Sequence, residues 1–304
     1  MFLHDDKELF REVIISTAEE LGIVVPIVEK DYYVTMILQK LSEECPECVF
    51  KGGTSLSKCH HVINRFSEDI DIAFSNQLTQ GMRKHLKNDT IAGISNALAL
   101  PISDWENTRS RRDYNCYTFS YEPLEGYVSE GRLIQGVKME VSLAALSFPT
   151  VKLPVDSFVY QFLVKENMDI VEEYNLCPFT MSVQGIDRTL ADKVFAICDY
   201  YLQGKTKRYP RHIYDIYMLL PKVNLNEEFK ELVHQVRELR KEMSICPSAV
   251  EGIKISRLLN EIIEKEVFKA DYTEITTYFQ NHPVDYESAI EAIKIIAESG
   301  IFDK

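Results

Sequence analysis

The sequence predicts an α+β protein in two lobes, a mixed sheet with helices over residues 1–185 and an all-helical lobe over 186–304. Three observations point there. Short stretches alternate polar and apolar residues at 69–74, 114–121 and 134–142, the period of a strand with one buried face. Apolar residues recur at helical spacing before and between some of these stretches. From Asp187 onward the pattern is helical to the end, interrupted at Gly204, Pro210, Pro221, Pro247 and Pro283. There is no internal repeat and no low-complexity linker.

In chain order, Leu9, Val13 and Ala18 form the apolar stripe of a first helix. Pro26 breaks the pattern, and Val34, Ile37, Leu38 and Leu41 form the stripe of a second. Val49-Phe50 reads as a short buried strand entering a turn at Gly52-Gly53. A helix is expected to begin at Ser55-Leu56-Ser57-Lys58 and to end near Asn64. Asp69-Ile70-Asp71-Ile72-Ala73-Phe74 is a strand with its acids on the polar face, and residues 79–100 read as helix. Tyr114–Tyr121 and Ile134–Ser142 alternate as strands, the second with Val137, Met139 and Val141 opposite Lys138, Glu140 and Ser142. Phe179–Val183 is a further strand, and Asp187–Leu202 a helix with Leu190, Val194, Ile197 and Tyr201 on its apolar stripe.

Composition narrows the functional classes. Hydrophobic residues make up 45% and charged residues 27% of the chain, ordinary for a globular protein with a full core. No window approaches the ~18 uncharged apolar residues of a membrane span. The N-terminus, Met1-Phe2-Leu3-His4-Asp5-Asp6-Lys7, lacks the basic-then-apolar layout of a secretory signal, so a cytoplasmic location is the expectation. A net charge of −13 argues against indiscriminate binding of DNA or RNA, which needs a basic surface. Two local basic stretches stand out, Arg109-Ser110-Arg111-Arg112 and Lys205-Thr206-Lys207-Arg208-Tyr209-Pro210-Arg211-His212. The seven cysteines are scattered, which favours reduced thiols. Cys45 and Cys48 have the spacing of half a zinc site, but no second pair completes it.

The most informative stretch is Phe50-Lys51-Gly52-Gly53-Thr54-Ser55-Leu56-Ser57-Lys58, followed by Arg65-Phe66-Ser67-Glu68-Asp69-Ile70-Asp71-Ile72. Gly52 and Gly53 let a ligand approach the backbone with no Cβ in the way. Thr54, Ser55 and Ser57 offer hydroxyls, and a new helix offers unpaired amides that favour phosphate. Alternate strand residues share a face, so Asp69 and Asp71 can share one metal ion. A phosphate cradle beside a carboxylate pair is what nucleotidyl transfer needs. A Walker P-loop is excluded, because GxxxxGK[ST] is absent.

On these residues the chain resembles the AbiEii/AbiGii toxin nucleotidyltransferases of the DNA polymerase β-like superfamily. The resemblance starts near Glu29-Lys30-Asp31-Tyr32-Tyr33 and runs through the two motifs above. It continues to Leu190-Ala191-Asp192-Lys193 and Arg211-His212-Ile213-Tyr214-Asp215-Ile216-Tyr217, roughly residues 29–220. It implies a nucleotidyltransferase-like sheet in the first lobe, with Lys193 and Asp215 of the helical lobe contributed to the cleft. It also implies a toxin checked by a separately encoded antitoxin, with an NTP as substrate and the tRNA 3′ end as acceptor. Neither a membrane nor DNA is an expected partner.

Each site residue has a structural alternative. Asp69 and Asp71, expected to hold Mg²⁺ or Mn²⁺ that bridges the nucleotide phosphates, could be an exposed strand face. Gly52, Gly53, Thr54 and Ser55, expected to hold the triphosphate, could form an ordinary strand–helix turn with a hydroxyl cap. Ser67 belongs to the site by resemblance, or is a turn hydroxyl. Glu140 is the candidate third carboxylate and general base, or part of a solvated Lys–Glu face. The resemblance makes Lys193 a contact to nucleotide phosphates, where a lone helical lysine is more often solvent-facing. Asp215 would be a cleft acid or would orient Lys193 or Arg211, against a weak surface pair with Arg211. Arg208 and Arg211 are candidate phosphate clamps, and Lys205 and Lys207 complete the expected RNA-binding stretch. A protein or small-molecule acceptor, or a binding module with a vestigial site, are the rival readings.

Overall fold

A computed structural model describes residues 1–127, 136–205, 210–275 and 284–303, with only the backbone of 273–275. The chain forms two compact units, one of Met1–Cys59 and Ser67–Val183, the other of His60–Phe66 and Gln184–Lys304.

The first unit opens with α1 (Lys7–Leu21), capped at its start by the Asp6 carboxylate accepting from the Leu9 amide. Gly22 ends it at φ 64°, the left-handed region that glycine adopts without steric cost. Pro26 then stands in the first turn of α2 (Val25–Glu44), where its missing N–H forfeits nothing. β1 (Cys48–Lys51) leads straight into α3 (Gly52–Lys58). This helix starts three residues earlier than the sequence suggests and ends at Lys58 rather than near Asn64. The backbone turns at His61, whose φ is 51°.

β2 (Ile70–Phe74) follows, then a helical run in which α4 (Gln80–His85) and α5 (Ala92–Ala97) flank a π-helical turn at Leu86–Ile91. The expected strands appear as β3 (Tyr114–Phe119) and β4 (Val137–Ser142). Sequence patterning misses β5 (Thr150–Val155), α6 (Phe158–Glu166) and α7 (Met168–Glu173), which precede β6 (Phe179–Gln184).

Among the described residues these strands form one six-stranded sheet in the order β3-β4-β2-β1-β6-β5. β1 runs antiparallel to β2 and parallel to β6, β2 parallel to β4, and β3 antiparallel to β4. The register fixes two rows across the sheet. Phe50, Ile72, Val141 and Asn115 are successive partners and all buried. The next row, Lys51, Asp71, Glu140 and Cys116, points to the other face and is only half-buried. Tyr32, Met36 and Ile37 of α2 belong to the same apolar core as the buried row. One face of the sheet is therefore core and the other carries polar chemistry.

The second unit is helical among its described residues: α8 (Ile186–Leu202), α9 (Arg211–Leu219), α10 (Glu227–Lys241), α11 (Ile255–Glu264), α12 (Lys269–Ile275) and α13 (Tyr286–Ser299). α8 packs against α9, α10 and α11, and α13 against α9 and α11. Of the expected stripe, Leu190, Val194 and Ile197 are fully buried, and Tyr201 near the end of α8 is half-buried. The chain is thus a mixed α/β protein with a helical second unit. None of the described helices is long and apolar enough to cross a membrane.

One carboxylate inside the first unit carries a pH dependence. Glu29 of α2 is 1% exposed, and its Oε1 accepts from the Leu124 amide at 3.1 Å. Burial raises its pKa from the ordinary 4.5 to about 7, with the amide opposing. Its folded pKa lies above its unfolded one, so its contribution to stability is complete below the unfolded value and lost as pH rises through about 7. Glu29→Gln should therefore remove a fall in the urea midpoint that the wild-type protein shows between about pH 5 and about pH 8. Parallel falls in the two proteins would contradict this assignment.

Candidate active site

The sheet unit builds its site from the β1–α3 turn outward. Gly52 has φ 77°, and a Cβ placed there would lie 2.0 Å from Asp71 Oδ2 and 2.9 Å from its Cγ. Any side chain at 52 would displace the Asp71 carboxylate, so glycine is required both by backbone conformation and by space. Lys51, the residue before it, is the strand partner of Asp71, and Asp71 is in turn the partner of Glu140. Asp69 lies one residue before β2, so the strand begins a residue later than its alternation suggests.

The loop carrying Asp69 is tied down from two sides. The Thr54 hydroxyl lies 3.0 Å from Ser67 Oγ and 2.5 Å from the Asp69 carbonyl oxygen, so it can donate to either. Lys30, 1% exposed on α2, forms a salt bridge to Glu68. Nearby, buried Lys58 of α3 donates to Asp31 Oδ1 at 2.5 Å, while Asp31 Oδ2 accepts from the Phe158 amide at 2.9 Å. Thr54 and Ser55 are 1% and 0% exposed, and Ser55 donates to the Gly52 carbonyl at 2.9 Å. The Ser55 hydroxyl thus has its partner within the turn, and the Thr54 hydroxyl has its partners in the loop before β2.

The open face is electrostatically one neighbourhood. The Cys116 thiol is pushed up to about 11, first by burial and then by the charge of Glu140, with Asp104 and Asp69 adding and Lys138 opposing. The Tyr114 phenol is pushed well above its ordinary value by burial, by Glu140 and, more weakly, by Asp71. Glu140 therefore acts on both of these β3 side chains, Asp69 on Cys116 and Asp71 on Tyr114.

Mg²⁺ or Mn²⁺ suits this donor set. Carboxylate oxygens are hard ligands, and Mg²⁺ in phosphoryl-transfer sites takes one or two protein carboxylates, with substrate phosphates and water completing its shell. Gly52 leaves Asp71 room against the turn, and Asp69 stands two residues before it on the same chain. Among the described residues no group of three or more His, Cys, Asp and Glu could hold a metal ion by itself, so oxygens from outside the protein, of water or of a bound ligand, would have to supply the remaining ligands.

The helical unit gathers a second set of expected residues. Asp215 of α9 is 0% exposed and accepts a bidentate pair from Arg65, Nε to Oδ1 and Nη2 to Oδ2, both at 2.7 Å. Lys193 of α8 donates to the same Oδ2 at 2.6 Å and approaches His212 Nδ1 at 3.4 Å. Burial opposes the Asp215 charge, yet Arg65 and Lys193 outweigh it and hold the carboxyl below the usual range. Burial lowers the Lys193 pKa, Asp215 opposes this, and Arg65 adds to the lowering. His212 is held well below its ordinary value by burial and then by Lys193, which favours the neutral ring.

Lys193 is thus neither solvent-facing nor alone, and Asp215 is not a surface acid. The carboxylate orients Lys193, as the resemblance allows, but its second partner is Arg65 rather than Arg211. Arg65 stands in the RFSEDID motif, and nothing local in the sequence marks its pairing with a residue 150 positions away. Tyr214 beside Asp215 supports the same segment, its hydroxyl accepting from the Asn64 amide at 3.0 Å. Arg211 is half-buried at the start of α9 and Lys205 is exposed after α8. Lys207 and Arg208 lie outside the described residues.

The sheet unit thus brings the glycine turn against the Asp71 carboxylate, with Asp69 two residues earlier in the chain. The family model of the nucleotidyl transferase AbiEii toxin, of type IV toxin–antitoxin systems, matches residues 37–292 of the 304, and the chain belongs to that family. No curated protein matches the chain.

Replacing Asp215 by Asn tests the buried cluster. It leaves Arg65 and Lys193 without a counter-charge and should cost about 3–5 kcal/mol in a denaturant melt. Because the folded pKa of Asp215 is depressed, its own contribution is present above the unfolded carboxylate value of about 3.9 and lost as pH falls through the lower folded one. Titration of Asp215 itself therefore adds no pH dependence to the deficit between about pH 6 and about pH 8. A loss below about 1 kcal/mol would mean that the cluster is solvated.

Proposed function

We propose that this AbiEii-family nucleotidyltransferase toxin is metal-dependent, uses an NTP, and transfers a nucleotide to an acceptor hydroxyl, the 3′ end of tRNA, with release of pyrophosphate. The observation that carries the reading is the half-buried row Asp71–Glu140 beside Gly52, whose missing Cβ leaves space at the Asp71 carboxylate. Asp69 and Asp71 would hold Mg²⁺ or Mn²⁺. That ion supplies neutralisation of charge on the triphosphate, the main requirement of phosphoryl-type transfer.

The chain's own residues divide the remaining work. The Gly52-Gly53 turn, with Thr54, Ser55 and Ser67 shaping it, admits the triphosphate to the backbone. Glu140 takes the proton of the acceptor hydroxyl as its oxygen bonds to the α-phosphorus. The bond from that phosphorus to the bridging oxygen breaks, and pyrophosphate leaves. Lys193 answers to nucleotide phosphates, and Asp215, sharing its oxygen with Lys193 and Arg65, sets its position. Lys205, Lys207, Arg208 and Arg211 serve the RNA backbone, which is where an otherwise acidic chain concentrates positive charge. A separately encoded antitoxin partner follows from the type IV family.

The test incubates the purified protein with each α-labelled NTP and separate RNA and protein pools. Label is expected at RNA 3′ ends and should vanish in Asp69→Ala and Asp71→Ala, with melting temperatures close to wild type. Label in the protein pool would move the acceptor away from RNA. Full turnover in either aspartate variant would overturn the carboxylate assignment.

A further inference from the structure

We propose that His212 is a positioning residue: as an uncharged acceptor it grips the Lys193 ammonium together with Asp215 and so sets the direction of the remaining N–H toward a phosphate. The inference rests on the reading above that gives Lys193 to nucleotide phosphates. His212 and Asp215 stand three residues apart on α9, so both side chains leave one face of that helix. Lys193 and Tyr200 stand seven apart on α8, two turns along, and again share a face. The two helices pack together, and these four side chains meet. Lys193 Nζ lies 2.6 Å from Asp215 Oδ2 and 3.4 Å from His212 Nδ1. The His212 ring stacks on Tyr200, with centroids 5.8 Å apart and planes 16° apart.

The state of the ring follows from what it faces. An ammonium has three donors and no acceptor. His212 Nδ1 must therefore accept from Lys193, which leaves the ring neutral with its proton on Nε2. The charges around it agree. Burial and then Lys193 disfavour the charged ring, Asp215 opposes them, and Arg211 and Arg65 add to the lowering. His212 closes the basic stretch 205–212 in sequence, yet it brings an acceptor to that stretch and no charge.

Lys193 needs a second acceptor. Its ammonium sits on a flexible four-carbon stem and turns about its last bond. Asp215 alone leaves that rotation open, because one hydrogen bond fixes one N–H, and the same Oδ2 also accepts from Arg65. With His212 as a second acceptor, two of the three N–H groups have fixed directions and tetrahedral geometry sets the third. Lys193 has no third hydrogen-bond partner among the described residues. The Tyr200 stack holds the half-buried imidazole against turning its Nδ1 away.

The test uses the full-length protein and two substitutions that separate acceptor from ring. His212→Asn places an amide oxygen near the Nδ1 position and loses the ring. His212→Phe keeps a ring for Tyr200 and loses the acceptor. His212→Phe should lower kcat/KM for the NTP about 10-fold, with His212→Asn within about twofold of wild type. In the Lys193→Ala background His212→Phe should change nothing further, since it acts through the ammonium. Nuclear magnetic resonance of protein labelled with ¹⁵N-histidine, with His212 assigned by its loss in His212→Asn, should show a bare Nδ1 and a protonated Nε2 from about pH 6 to about pH 8. A proton on Nδ1, equal loss in the Asn and Phe variants, or an undiminished Phe effect without Lys193 would overturn the proposal. So would full activity in His212→Phe. A wild-type protein that shows the expected ring state but labels no acceptor with any NTP overturns the parent reading.

Discussion

The Asp71 carboxylate lies where a side chain on residue 52 would have to be. From that single steric fact much of the sheet unit's chemistry follows. Gly52 must be glycine, with positive φ, so the chain turns sharply out of β1 and into a helix at once. The carboxylate then sits at the mouth of the turn, in register with Lys51 on one side and Glu140 on the other. Thr54 and Lys30 hold the preceding loop through the Asp69 carbonyl and Glu68, respectively. These groups spend their hydrogen bonds and ion pair on holding the segment that leads into β2.

The helical unit solves a related problem by burial. Arg65, Lys193 and Asp215 form a triad in which two cations share one carboxylate. Such a cluster is an inefficient way to gain stability, since desolvation cancels much of the attraction. Its value is geometric. A bidentate guanidinium fixes the plane of the carboxylate, and the fixed carboxylate fixes the Lys193 ammonium.

The strands were readable where one face is core and the other polar. Val137, Met139 and Val141 alternate against Lys138, Glu140 and Ser142 because only one side of β4 is buried. β5 escaped that logic. It is an edge strand, largely exposed, and Pro154 within it removes a donor that an edge can spare. The carboxylates and Lys193 were legible as motif residues, but not their partners. Arg65 reveals its role only through a contact that folding creates, across 150 residues. Thr54 and Ser55 are the converse case. Their hydroxyls read as phosphate ligands in sequence, whereas Ser55 also has a partner inside the turn and Thr54 has partners in the loop before β2.

The account stands most directly on the carboxylate held against Gly52. Titrating Mn²⁺ into the protein with a non-hydrolysable NTP, and following free Mn²⁺ by electron paramagnetic resonance, reads that site without turnover. The expected result is a Mn²⁺ site in the wild type that depends on nucleotide, and that is lost in Asp71→Ala and strongly weakened in Gly52→Ala while both variants stay folded. Mn²⁺ binding that is unchanged in those two variants would contradict it.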